Sequence, residues 1–165
     1  MRHVRLELSI PSRRPAAVYV TLADFGRYAE FAPAVRSVVV THAGDRTTVS
    51  RWEVNFRKGI LRWVEEDTFD PDEHRIAFRQ LEGDIALFEG SWHCTAAGEG
   101  TRITFDARLD MGIPSLADAL EPIAARTLVD NTVAIVSGIF LGESVVEQVL
   151  LDGIPQLTEA AGARQ

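Results

Sequence analysis

The sequence predicts an α+β fold in which a strongly curved, seven-stranded antiparallel sheet wraps one long C-terminal helix. Three observations predict it. Turn signals recur at close spacing, at Gly44-Asp45, Lys58-Gly59, Pro71-Asp72, Gly83-Asp84 and Gly98-Glu99-Gly100. The runs between them alternate in polarity with the two-residue period of strands. After the last strand, apolar residues recur at helical spacing as Leu116, Leu120, Ile123, Leu128, Val133, Val136 and Phe140.

The elements follow in order. A first strand, His3 to Ile10, alternates Val4, Leu6, Leu8 and Ile10 with polar partners. Ser12 can cap a helix over about 13–23, with Pro15 tolerated in its first turn. A short helical piece over about 26–31 follows Phe25-Gly26, a pair that reads either as a lid hinge or as a simple turn. Six strands come next, at about 35–43, 46–56, 60–70, 74–82, 85–96 and 101–111. Their short connections imply hairpins and an antiparallel sheet. Pro114-Ser115 then opens the long helix. This order is the helix-grip arrangement: two short helices between the first and second strands close one end, and a cavity lies between sheet and helix. Residues 1–165 read as one such domain, with a core of about 3–145 and a C-terminal extension of about 146–165.

Composition agrees. A chain of 165 residues, 46% apolar and 25% charged, has the size and make-up of one globular domain. Its net charge of −7 repels phosphate backbones and anionic lipid, which argues against nucleic acid or membrane surfaces as partners. Cys94 is the single cysteine, so no intrachain disulfide and no four-thiolate metal site can form. The N-terminal residues lack the apolar run of a secretory signal, and Thr132 to Leu141 is too short for a bilayer span of about 20 residues. A soluble, cytoplasmic protein is expected.

Strand alternation assigns side chains to faces. Trp52, Val54 and Phe56 share a face, as do Trp63 and Phe69, Ile76 and Phe78 and Gln80, Phe88 and Trp92, and Ile103 and Phe105. These aromatic sets are expected inside, because their burial drives folding. The opposite set, Arg51, Glu53, Arg62, Glu66, Arg75, Arg79, Arg102 and Arg108, reads as a solvated outer face with weak cross-strand pairs. One inward pair breaks the apolar rule: Glu65 and Asp67 fall on the face of Trp63 and Phe69. Two neighbouring carboxyls in a low-dielectric cleft raise at least one pKa, which suits general acid or base work. The bland alternative is a strand that ends near Asp67 and leaves both carboxylates wet at the cavity rim.

The ordered series of motifs resembles a known family. Ile10-Pro11, Ala17-Val18-Tyr19 and Ala23-Asp24-Phe25-Gly26-Arg27-Tyr28-Ala29-Glu30-Phe31-Ala32-Pro33 are similar to the opening of polyketide cyclase/dehydrase domains. Leu81-Glu82-Gly83, Phe88-Glu89-Gly90-Ser91-Trp92 and Gly100-Thr101-Arg102-Ile103-Thr104-Phe105 resemble the second half, and Asn131 sits where relatives often place an Asn. The similarity covers about residues 3–145 and extends to coenzyme Q-binding proteins, all of the START/Bet v-like superfamily. The resemblance implies aldol ring closure and dehydration of a poly-β-keto chain held in the cavity, as in antibiotic biosynthesis. Aromatase/cyclase relatives carry Trp-Val-Ser-x-Arg on the fourth strand. Here it reads Trp63-Val64-Glu65-Glu66-Asp67, which reverses the charge at the working position. An Arg would anchor an enolate; Asp67 can only take or return a proton.

The expected site is therefore Glu65 and Asp67 as proton donor or acceptor, with Tyr28, Phe31, Trp52, Trp63, Phe78, Gln80, Phe88 and Asn131 as ligand-binding residues. Trp92 is read as a core filler. No cofactor is expected, and no metal, because His3, His42, His74 and His93 stand at no ligand spacing with one another or with Cys94. Cys94 reads as a small buried residue, without a base or positive charge beside it. The partner is a hydrophobic or polyketide-type small molecule, delivered where needed by an acyl carrier protein. The competing functions are a carrier of a prenylated quinone or lipid and a ligand sensor. Val133 through Leu141 is apolar on nearly every side, so a second copy of the chain, or Glu143 to Leu157 folding back, is expected to cover the helix.

Overall fold

A computed structural model describes residues 1–56, 58–112 and 117–157. Strand β1 (Arg2–Ile10) leads into helix α1 (Pro15–Ala23), a 3-10 turn (Phe25–Arg27) and helix α2 (Tyr28–Phe31). Strands β2 (Val35–Gly44), β3 (Thr47–Phe56), β4 (Gly59–Asp70), β5 (Arg75–Gly83), β6 (Leu87–Ala97) and β7 (Gly100–Asp110) follow, then helix α3 (Ala117–Ile139). Two more strands, β8 (Val145–Leu151) and β9 (Ile154–Pro155), end the described chain. The start signals Pro114-Ser115 and the first apolar position Leu116 lie outside the described residues.

All strands join one antiparallel sheet in the order β2-β3-β4-β5-β6-β7-β1-β8-β9. The expected hairpins from β2 to β7 are present, and β1 closes against β7. Among the described residues the sheet has nine strands rather than seven. The difference arises where α3 stops. The Leu141 amide donates to Gly138 O and the Gly142 amide to Ser137 O, while Leu141 and Gly142 take φ of 55° and 81°. These two bonds are a Schellman cap, which ends the helix with a left-handed residue. The chain then turns back and Val145–Leu151 pairs with β1, setting Leu6 opposite Val149. The C-terminal extension is thus part of the sheet through Pro155.

The interior follows strand alternation. Val4, Leu6, Leu8 and Ile10 are fully buried, and so are the inward residues Ile76, Ile103 and Phe105. The charged outer face carries Arg62–Glu53 (3.1 Å), Arg79–Glu66 (3.1 Å) and Arg108–Glu89 (2.7 Å), each joining residues opposite in register. Such exposed pairs contribute about 0–1 kcal/mol each. Much of the apolar stretch of α3 is covered within the chain, while Leu141 stays exposed. Ile135, Val136, Ile139 and Phe140 enter the core, Phe31 lies against Gly138, and the Arg13 guanidinium sits 5.6 Å over the Phe140 ring.

At Gly90 the sheet admits no side chain. A Cβ there would lie 2.8 Å from Ala107 Cα and 2.9 Å from Phe78 Cζ, and closer still to Asp106 O. Gly90→Ala is expected to cost about 3 kcal/mol by overpacking against backbone. A melting temperature lowered by about 10 °C would register it; an unchanged melting curve would contradict this packing.

Candidate functional site

Strand β4 runs on to Asp70, so both acidic residues stand inside the sheet rather than at a frayed end. Glu65 is 3% exposed and Asp67 fully buried. Their partners come from β3, where register sets Thr48 opposite Asp67 and Ser50 opposite Glu65. The hydroxyls of Ser50 and Thr48 donate to Asp67 Oδ2 at 2.6 and 3.0 Å. Ser50 in turn accepts the Trp52 Nε1–H at 2.8 Å, and Glu65 Oε1 accepts the Trp63 Nε1–H at 2.8 Å. Trp52 and Trp63 are themselves a cross-strand pair with parallel rings, 5.6 Å between centroids.

One atom is left over. Asp67 Oδ1 is buried without a donor from the surrounding groups. Glu65 stands two residues before it on the same face of β4 and interacts with it. Burial, then the hydrogen bond to Asp67 and its negative charge, hold the Glu65 carboxyl well above the usual carboxylate range, against the opposing pull of the Trp63 N–H. The arrangement is two neighbouring buried carboxyls, tied to two hydroxyls and two indoles.

Beside this network, between sheet and α3, lies a hollow of about 70 Å³. Of the expected residues, Tyr28, Trp52, Trp63, Glu65, Phe78 and Asn131 line it, and Phe88 closes it on one side. Trp92 lines it too, although its sequence position reads as core filler. Three expectations need correction. Asp67 stays behind the wall, tied to Ser50 and Thr48. Phe31 faces Gly138 and the Arg27 guanidinium rather than the hollow. Gln80 donates to Ile85 O across its own turn and is not part of the wall. Sequence reasoning also passed over Phe25, Thr132 and Ile135, which line the hollow, and Ser50 and Thr48. The signal for the last two was available: small hydroxyls at a two-residue spacing, one strand away from two acids.

The hollow, with a neighbouring space of about 50 Å³ behind Trp63, Phe88 and Asn131, is smaller than the roughly 300–1,000 Å³ of drug-sized ligand sites. The stacked indoles and the Phe78–Phe88–Phe105 rings occupy the space that a large intermediate needs. Tyr28 offers the ligand only a ring face. Its hydroxyl donates to Leu22 O at 2.5 Å, and burial pushes its pKa well up. Cys94 is buried, which lifts its thiol to about 12. His93 points outward against Arg75, 3.2 Å away.

A surface crevice of about 420 Å³ opens next to the hollow, between the 3-10 turn, the β2–β3 hairpin and Phe69. Phe25 belongs to both walls, and its ring touches Tyr28, Trp52 and Phe69. It is the partition between them. Phe25→Ala is expected to join the two spaces and speed the association of an aromatic ligand at least about tenfold, at a stability cost of about 3 kcal/mol. Stopped-flow tryptophan fluorescence reads the rate; an unchanged rate would put the path elsewhere. A second trough, about 400 Å³, lies on the outer sheet face by Gly90, where Arg79 and Arg108 are already paired, and it does not reach the acids.

The sequence model described as polyketide cyclase / dehydrase and lipid transport matches residues 12–135. The chain belongs to this family. No curated protein sequence matches this member of it. Among solved structures, the TTHA0849 protein from Thermus thermophilus is similar at 28% identity and a TM-score of 0.78, over 86% of this chain and 96% of that one. The Zhui aromatase/cyclase of Streptomyces sp. R1128 is similar at 20% identity and 0.72, over 87% and 94%. The STAR-related lipid transfer protein of Xanthomonas axonopodis is similar at 18% identity and 0.63, over 87% and 86%. The last two likenesses show the helix-grip fold. Among the described residues of this cyclase/dehydrase family member, no helix is long and apolar enough to cross a membrane.

Proposed function

We propose that this protein catalyses cyclisation with dehydration of a polyketide-type intermediate, without a cofactor, and that Glu65 is its acid and base. The observation that carries the reading is a buried carboxyl on the wall of an aromatic hollow, held above the usual carboxylate range by burial and by a second buried carboxyl behind it. For the dehydration step the aromatic rings lining the hollow of about 70 Å³ must first swing apart to admit the substrate, and a β-hydroxy ketone then lies against Trp52 and Trp63. Glu65 gives its proton to the departing hydroxyl, the C–O bond breaks and water leaves. As the C–O bond breaks, the second Glu65 oxygen takes the α-proton and the C–H electron pair becomes the C=C bond, which restores the starting state. Positioned general acid–base groups of this kind contribute about 10²–10⁴ in rate.

The second reading is a carrier, favoured by the small, mostly apolar hollow and by the family's lipid-transport members. A conjugation assay separates the two. With a bicyclic β-hydroxy ketone, an enzyme produces the ultraviolet absorbance of the enone with multiple turnovers. A carrier binds the compound and leaves it unchanged, and that result would refute the catalytic reading.

A further inference from the structure

We infer that the open edge of strand β2 is an interaction surface for a second copy of this chain, joined strand to strand about a two-fold axis at Val39. The inference uses the sheet alone and is independent of the proposed reaction.

The two edges of the sheet differ. At one end β9 has only two residues, one of them Pro155, which has no backbone N–H to offer a new strand. At the other end β2 has ten residues, and its strand neighbour is β3 alone. Among the described residues, no backbone hydrogen bond other than the ladder to β3 involves positions 36–44. Alternate N–H and C=O groups of β2 therefore point away from β3 and form a template for another strand. Charges, prolines and bulges blunt such edges in monomers. Here the register is regular from Ser37 to His42, between irregularities at either end, and Ser37-Val38-Val39-Val40-Thr41 carries no charge and no proline. Val39 and Val40 are 59% and 37% exposed.

The order of residues selects the occupant. Read outward from Val39, the segment is the same in both directions: a valine, then a small hydroxyl. An antiparallel copy centred there sets Val39 against its own counterpart, Val38 against Val40 and Ser37 against Thr41. Such β-branched and hydroxyl pairs stabilise antiparallel strands. A two-fold interface uses one patch twice, so this palindrome is what it requires. Charge agrees: positions 36–44 hold no Asp or Glu in a chain of net charge −7, so two copies meet on a strip that carries none of their excess negative charge. Val38 and Val40 lie on the inner face, opposite Trp52 and Ser50, and Val40 lines the crevice beside Phe25. In the joined sheet Val38 of one copy borders the crevice of the other, so each molecule supplies a wall to the space next to its neighbour's hollow. A ladder this short sits at the low end of interface sizes, which makes the dimer weak, with a Kd on the order of 10⁻⁵ M.

Sedimentation velocity of the full chain from about 1 to about 300 µM reads the association, and a reversible monomer–dimer step is expected within that range. Val39→Lys sets two like charges face to face at the axis and should weaken dimerisation at least about tenfold, with the melting temperature unchanged because position 39 is exposed. Cysteine cross-linking reads the register, and the native Cys94 is buried and does not interfere. Under mild oxidation Val39→Cys, opposite itself, should give a covalent dimer, since facing Cα atoms in an antiparallel ladder lie about 4.5–5.5 Å apart. Thr41→Cys, opposite Ser37, should stay monomeric. A chain that sediments as a monomer at about 300 µM overturns the inference and leaves the edge to a foreign peptide strand. A dimer that survives Val39→Lys overturns it too, by placing the interface elsewhere, and so does cross-linking as efficient at position 41 as at position 39.

Discussion

Replacing Glu65 by Gln is expected to abolish turnover and yet leave the protein more stable than the parent at neutral pH. The neutral Glu65 carboxyl and a Gln amide have the same shape. The Gln oxygen can accept the Trp63 Nε1–H, and its N–H can fill the vacant role at Asp67 Oδ1. What Gln cannot do is release a proton, so kcat should fall by about 10²–10⁴ while ligand affinity changes little. The stability effect follows from linkage. A carboxyl of this kind has an ordinary pKa of 4.5 when unfolded, and burial with Asp67 holds it well above that in the fold. Below the unfolded value both states are protonated and the parent keeps the full contribution. As pH rises from there through the folded value, the unfolded chain sheds the proton that the folded chain retains, and stability declines by up to about 1.4 kcal/mol per pH unit. Glu65→Gln lacks that decline. Chemical denaturation at pH 4.5, 6, 7 and 8 should therefore give two curves that nearly meet at the acid end and diverge above it, with the variant higher. A variant that is less stable at pH 8 by more than at pH 4.5 would mean that Glu65 is ionised in the fold.

The sheet and its two faces were legible in the sequence because they rest on a short-range rule. Alternation put Trp52, Trp63, Phe78 and Phe88 on one side and Arg62, Arg79 and Arg108 on the other, and burial agrees at each. The same rule turned Glu65 and Asp67 inward. It could not say which of the two reaches the hollow. That depends on register with β3, where Ser50 and Thr48 capture Asp67, and register is a property of two strands. Gln80 and Phe31 misled for a related reason. Neither reaches the hollow: a turn carbonyl holds Gln80, and Phe31 packs against Gly138 of α3 and beneath Arg27. The two last strands were hidden by Val145-Val146, which continues an apolar pattern after a cap formed by Leu141, not by the glycine usual at that position. Cavity volume was beyond reach altogether, since it is a small difference between large side-chain volumes.

Asp67 offers the sharpest separation of structural from functional roles. In Asp67→Ala, Ser50 and Thr48 lose a buried acceptor, Glu65 loses the partner of its proton, and a void forms; the cost expected is about 3–5 kcal/mol. That loss alone would say only that Asp67 holds the fold. Asp67→Asn is the informative change. Its oxygen can still accept from Ser50 and Thr48, so stability should fall by only about 1–2 kcal/mol. Its amide then faces Glu65 as a donor, which favours the ionised form where the Asp67 charge had opposed it. The protonated Glu65 that dehydration requires should therefore be lost at lower pH than in the parent. The alkaline limb of kcat against pH is expected to move down by at least about one pH unit, with KM for an uncharged substrate little altered. Chemical denaturation of the same variant should lose part of its alkaline decline, because the folded pKa of Glu65 has approached the unfolded one. If the limb stays in place while stability drops, Asp67 is a packing residue that happens to carry a carboxyl, and the two acids do not work as a pair.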